Sequence, residues 1–450
     1  MDKRRVVITG IGVVSPYGEG LERFWQALAG GESARRPIQG FDASVYRSAQ
    51  GGEAPVELMA DAGARARCGD PGEDSAYFLA LAAAEALADA GLGAAFSDED
   101  RVGCVLGTLC AGMRNMPEYG AAYESGLPSP VAAETIPAHY QLDFLARRHN
   151  LTGPSSLVST ACSSTTDALG YAFDLIRGGE CDSCLSGGGD VLAEMIHAAF
   201  NGLYSITTGE PRPFDSERDG FFIGEGAGLF HLETLESARA RGARIHAEIL
   251  GYGLSNTGHH LTATSEDGAG EALAIRRALD DAGLAPADID YINCHGTGTR
   301  HNDASEIRAI NRVFGDAAER LHISSNKASI GHCMGAAGAL EAAATVLALE
   351  KGLIPPTLHT RGDEAELRSR LVGARPGRCV AARAVAVVRL RRRLLLHRVR
   401  PLWGGWACVK WRLPASALSG RTAWGWLACS TGASCFPPGR IRRRRRTPNP

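Results

Sequence analysis

Acidic residues stop at Glu366: none of the 50 Asp and Glu residues lies beyond it. Tryptophan is almost missing from the rest of the chain, since of six only Trp25 precedes Trp403. Residues 371–450 carry 17 Arg and one Lys, which leaves 30 of the 48 basic residues against 50 acidic ones in 1–370, a balance of −20. The overall charge of −2 therefore hides an acidic body joined to a basic tail of unlike composition. No stretch supplies the roughly 20 uninterrupted apolar residues of a membrane span. A secretory leader is not expected either, although the first residues imitate one. The run Val6–Ser15 follows Lys3-Arg4-Arg5, but Gly10, Gly12 and Pro16 break it and no small-residue cleavage site follows, so it reads as an opening buried strand. A cytoplasmic chain with reduced thiols follows. Its 450 residues and 44% hydrophobic content suffice for a large core and two or three domain-sized units.

What is present is alternation. Short β-branched runs (5–14, 102–107, 184–188) alternate with Ala-rich helical stretches (75–90, 165–178), an α/β pattern. Ala76, Leu79, Ala83 and Leu87 keep a three-and-four spacing that lines one face of a helix, with Gly91 as its stop. From Ala247 a second series begins: strands at 249–253, 289–293 and 321–325, and helices at 270–282, 302–314 and 335–350. The similar order predicts two like halves, 1–246 and 247–370, without a residue-level repeat. Residues 371–450 show no such order, being interrupted by Arg391-Arg-Arg393 and Arg442–Arg446.

Three segments carry chemistry. In Val158-Ser-Thr-Ala-Cys162-Ser-Ser-Thr-Thr-Asp-Ala-Leu169 a cysteine sits between a strand-like and a helix-like run. Free N–H groups and the dipole at a helix N-terminus favour thiolate, the nucleophilic form, and the same groups can hold a developing oxyanion. Cysteine is also a common small buried residue, so this segment alone leaves packing and catalysis both open. Asn293-Cys-His295-Gly-Thr-Gly-Thr299 and Ser325-Asn-Lys327-Ala-Ser-Ile-Gly-His332 each place a histidine just beyond a strand. Either histidine alone suits a packed or capping role. Together, a Cys, two His and a Lys are what thioester exchange followed by decarboxylation needs: a carrier for the acyl group and two donors for an enolate oxygen.

These segments resemble, in order, the Cys loop, the H-G-T-x-T loop and the K-x-x-x-G-H loop of the β-ketoacyl-[acyl carrier protein] synthases, with the two-histidine set of types I and II. Arg212-Pro-Phe-Asp215, Arg218-Asp-Gly-Phe221, Gly224-Glu-Gly-Ala227 and Gly335-Ala-Ala-Gly-Ala-Leu-Glu341 match as well, and the likeness covers about residues 4–360. The resemblance implies a thiolase-like α/β fold of two similar halves in five alternating layers, working as a homodimer. It implies a 3-oxoacyl-ACP synthase of fatty-acid or polyketide biosynthesis, with Cys162 taking an acyl chain from acyl carrier protein and malonyl-ACP supplying the attacking carbanion. His295 and His332 would hold the thioester oxygen. Lys327 would act electrostatically, with Glu341 beside it, while Thr297 and Thr299 would contact the phosphopantetheine arm and Asp303 would brace the loop. Cys110 would lie near the acyl pocket. No bound cofactor or metal is implied; the substrates ride on phosphopantetheine. The alternative is a non-catalytic remnant or a partner subunit of a condensing enzyme.

Other signals are set aside. Gly10-Ile-Gly12 lacks the third glycine of a dinucleotide fingerprint. Cys181-Asp-Ser-Cys184 has no second pair to complete a zinc site, and both thiols read as structural. Arg442–Arg446 reads as a solvated or artefactual run rather than a nucleic-acid or membrane contact. Two departures from the family stand out: Thr165 replaces a glycine three residues after the nucleophile, and the final strands with their Gly-Phe-Gly-Gly loop are missing. The acid-free, Arg- and Trp-rich ending suggests a GC-rich gene read in a shifted frame from about residues 371–375, or a segment without fixed structure. A sheet short of those strands would expose unpaired backbone.

Overall fold

Valine, isoleucine and glycine dominate Val6–Ser15, Gly226–Thr234 combines small residues with Leu229, Phe230 and Leu232, and both strands are buried along their whole length. They are the axis of the molecule. The computed structural model describes residues 4–256 and 265–373, and beyond them strand backbones at 377–378, 384–389, 406–412 and 424–428. Arg391–Arg393 and Arg442–Arg446 lie outside the described residues.

The main strands are β1 (Val6–Ser15), β2 (Val102–Gly107), β3 (Ser155–Val158), β4 (Ser183–Asp190), β5 (Gly226–Thr234), β6 (Ala247–Ser255), β7 (Tyr291–Asn293), β8 (His322–Ser324), β9 (Arg370–Leu371), β10 (Ala384–Arg389), β11 (Trp406–Arg412) and β12 (Trp424–Ala428). They form one sheet in the order β9-β8-β7-β10-β12-β11-β6-β1-β5-β4-β2-β3, with Gly18–Glu19 pairing off its path. The helices that matter here are α1 (Asp74–Asp89), α2 (His139–His149), α3 (Ser164–Gly178), α4 (Ala269–Ala282), α5 (Arg300–Phe314) and α6 (Ala337–Lys351). α3 and α6 pack between the two arms of the sheet, α1 and α2 cover the outside of the first arm, and α4 with α5 covers the second. Helix, sheet, helix, sheet, helix gives the five layers of two similar halves.

Residues 384–389 and 406–412 are rich in Val and Trp, types that suit a pleated surface. Their backbones, with that of β12, stand between β7 and β6, in the stretch of sheet that the sequence left short of strands.

α1 differs from its sequence pattern in one respect. The spacing predicts one buried face, yet Ser75–Ala83 are buried without a break, because the helix lies against β1, β5 and α2. α6 is buried all round from Ala337 to Leu349, as a helix between two sheet layers must be.

The two glycines that imitate a dinucleotide fingerprint serve this packing. A Cβ at Gly10 would stand 2.0 Å from the Ala86 carbonyl oxygen, and one at Gly12 would stand 1.9 Å from that of Ala82. α1 therefore rests on bare backbone of β1. Gly12→Val is expected to cost about 3 kcal/mol or more, because neither the buried strand nor the buried helix can retreat. A urea titration that places its midpoint at the wild-type value would refute this account.

Candidate active site

β3 ends at Val158, and the chain turns through Ser159 and Thr160 into a 3-10 turn at Ala161–Ser163 that runs directly into α3. Ala161 has φ +61°, a left-handed conformation that costs an L-residue free energy and persists only where neighbours over-determine it. Cys162 is thereby carried at the N-terminal end of a 15-residue helix, 1% exposed. Thr165 causes no disruption there. Its hydroxyl accepts the Ala339 N–H at 2.9 Å, satisfying a donor in the first turn of α6.

His295 lies two residues beyond β7. Glu306 on α5 accepts the backbone N–H groups of His295 (2.8 Å) and Gly296 (2.9 Å), and burial pushes its carboxyl up to about 8. Gly296 turns with φ +41°, where a Cβ would meet Ser325 at 2.5 Å. The Thr297 and Thr299 hydroxyls are 2.8 Å apart at the mouth of this loop. Asp303 accepts N–H groups from Phe214 (2.9 Å) and Gly298 (3.2 Å) and the Asn302 side-chain amide (2.9 Å).

Lys327 is buried in direct ion pairing with Glu341 of α6. Burial raises the Glu341 carboxyl above its ordinary range and the ammonium opposes that rise. His332 follows Gly331; its Nδ1 accepts the Met334 N–H at 3.1 Å, which puts the ring proton on Nε2. Burial first, and then the Lys327 charge, hold its pKa well below 6.5, so the ring is a neutral donor.

These segments, far apart in sequence, meet. One ligand-type atom from each of Cys162, His295 and His332 lies within 4.8 Å of the others, and the two imidazoles stand edge to face with centroids 5.0 Å apart. The distances alone would suit a soft cation. The His332 tautomer would not, because a metal-bound imidazole donates through its other nitrogen and this one accepts there. The arrangement instead offers a thiol at a helix N-terminus facing hydrogen-bond donors in a dry site, the requirement for carrying an acyl group and holding a developing oxyanion.

Sequence reasoning missed two organisers. Asp190, at the end of β4, accepts from Thr108, Leu109, Cys110 and Ala111 and, across the interface of the halves, from Gly335 (2.6 Å). Glu306 is the other. Neither has a local signal, because Asp190 binds the Thr108 hydroxyl and backbone N–H groups of loops remote in sequence, and Glu306 binds backbone N–H groups, which no side-chain pattern marks. Cys110 is buried close enough to Cys162 for the two charges to repel; burial chiefly, then Asp190 and Cys162, raise its pKa. Cys181 and Cys184 are buried free thiols, with Cys181 pushed by burial up to about 11.

The model of the β-ketoacyl synthase N-terminal domain matches residues 3–238, and that of the C-terminal domain matches 246–361. The chain is 41% identical over 381 residues to an actinorhodin polyketide β-ketoacyl synthase 1 of Streptomyces coelicolor, covering 81% of each chain. It is 39% identical over 388 residues to the 3-oxoacyl-[acyl-carrier-protein] synthase 2 of Rhizobium meliloti, covering 82% of this chain and 92% of that one. Among solved structures, a type II polyketide ketosynthase bound to its acyl-carrier protein and a hexaketide superposes with a TM-score of 0.75 at 30% identity, over 84% of this chain and 95% of that one.

Proposed function

Because the chain belongs to the β-ketoacyl synthase family, we propose that it condenses an acyl group held on Cys162 with malonyl-ACP, in polyketide or fatty-acid biosynthesis. The observation that carries this reading is the buried meeting of Cys162, His295 and His332 within 4.8 Å.

The Cys162 thiolate attacks the thioester carbonyl of acyl-ACP and expels the phosphopantetheine thiolate. In malonyl-ACP the bond to the carboxylate breaks, carbon dioxide leaves, and the electron pair remains as an enolate. Its carbon attacks the acyl-Cys162 thioester, Cys162 leaves as thiolate, and 3-oxoacyl-ACP is the product. His332 Nε2–H and His295 hold the enolate oxygen, and Lys327 keeps His332 neutral while Glu341 balances its charge. Thr297 and Thr299 receive the phosphopantetheine arm, and Asp303 braces their loop.

Acyl carrier protein is the partner. A second copy of the chain is the other, in a homodimer. β3 ends the sheet with no strand on its outer side among the described residues, and its residues are exposed or half-buried, which suits pairing with the same strand of a copy. No helix among the described residues is long and apolar enough to cross a membrane, and we place the reaction in the cytoplasm. Residues 371–450 we hold to be a segment foreign to the family, in accord with its acid-free composition and the end of the family match at 361. An intact alternative frame in the resequenced gene would support that origin, and its absence would remove it.

Mass spectrometry after incubation with acyl-ACP tests the function. An acyl adduct on the tryptic peptide of Cys162, discharged when malonyl-ACP is added, is the expected result. Soluble, folded protein that acquires no adduct would favour a non-catalytic remnant or partner subunit.

A further inference from the structure

We propose that Asp167 is a positioning residue for the nucleophile, holding the chain on both sides of Cys162 and tying it to the second half of the molecule through Tyr252; this rests on Cys162 being the acyl carrier. One oxygen of the Asp167 carboxylate accepts the Thr160 hydroxyl at 2.6 Å and the Ser163 hydroxyl at 3.3 Å, the residues two before and one after Cys162. The other accepts the Tyr252 hydroxyl of β6 at 2.6 Å. Two further bonds close the same loop: Ser164 donates to the Ala161 carbonyl (2.6 Å) and receives the Thr160 N–H (2.8 Å).

A simpler reading is that an acid in the first turn of a helix merely caps it. The partners argue otherwise. Among the described residues, Asp167 accepts only hydroxyls, from the turn that carries Cys162 and from a strand of the other half, and no backbone N–H of its own helix. It is 5% exposed, and burial pushes its pKa up to about 6, so the ionised form is held there at a cost in stability. That cost is offset where three donors converge, beside Ala161, whose φ of +61° needs neighbours to hold it. The ring of Tyr252 leaves no room for a side chain at position 170, where a Cβ on Gly170 would stand 2.3 Å away, so the tyrosine is itself fixed against α3. Cys162 is thus aimed by a chain of contacts running from β6 to the turn before the nucleophile.

The test is single-turnover acylation of Cys162 by acyl-ACP in the full chain, read as a saturating rate and a half-saturating concentration, with a thermal melt beside it. Asp167→Ala is expected to lower the saturating rate on the order of 10- to 100-fold while the half-saturating concentration moves less than about threefold, the pattern of a misplaced reacting group. Thr160→Val with Ser163→Ala, which leaves Asp167 in place, is expected to lower the rate in the same way, and adding Asp167→Ala to that pair to lower it little further. An Asp167→Ala protein that melts earlier yet acylates at the wild-type rate overturns the proposal. If Asp167→Ala does not fold, the Thr160→Val/Ser163→Ala variant decides, and an unchanged rate in it overturns the proposal equally. A wild-type chain that takes no acyl group sinks the parent reading and this one with it.

Discussion

Cys162→Ala is expected to lower condensation by at least about 10³-fold while leaving the protein folded. The step it removes has no substitute in the site. The imidazoles of His295 and His332 stand edge to face, the Nδ1 of His332 already accepts the Met334 N–H, and Cys110, the neighbouring thiol, is held protonated by burial and by Asp190. A 10³-fold loss is roughly 4 kcal/mol of transition-state stabilisation, a modest demand on a nucleophile that carries the whole acyl group. The structural cost is small by comparison. One buried sulfur is lost from a packed site, worth about 1 kcal/mol, so melting should shift by only a few degrees. Steady-state turnover measured beside a melting curve separates the two effects. Retained activity in a folded Cys162→Ala protein would remove Cys162 from the mechanism altogether.

The largest stability effect is expected at Glu341→Ala, at about 3–5 kcal/mol. Lys327 and Glu341 are each almost wholly buried, and the pair joins the loop before His332 to the central helix α6. Removing the carboxylate leaves an ammonium in a dry interior beside the imidazole of His332, whose neutrality it already enforces. An exposed ion pair would be worth a fraction of this, because water would screen it. Lys327→Met combined with Glu341→Leu, which removes both charges, should recover much of the stability but none of the activity. Urea midpoints for the single and double variants check both halves of the argument. A single variant as stable as the wild type would mean that water reaches the pair.

Much of the fold was legible because the signals were local. The strand at Val6–Ser15, the helix over 74–89 and its stop at Gly91, with φ +68°, follow from side-chain type and the preference of glycine for left-handed backbone. The depth of burial was not. A three-and-four spacing reads as one buried face, and only contact with β1, β5 and α2 makes α1 buried nearly all round.

The chain read alone supplies the candidate parts of the site: a cysteine opening a helix, two histidines each just past a strand, a lysine, and the motifs that tie them to one family. It also determined, through the loss of every acid after Glu366, that the chain changes character near its end. The surroundings of those parts come from the fold. The His332 tautomer follows from one backbone N–H two residues on, the burial of Lys327 against Glu341 from α6 crossing the interior, and the aim of Cys162 from an aspartate and a tyrosine 85 residues apart. The physical reason is that a proton's place, a charge's cost and a thiol's direction are set by what stands within hydrogen-bonding distance, and those neighbours come from parts of the chain that no local pattern connects.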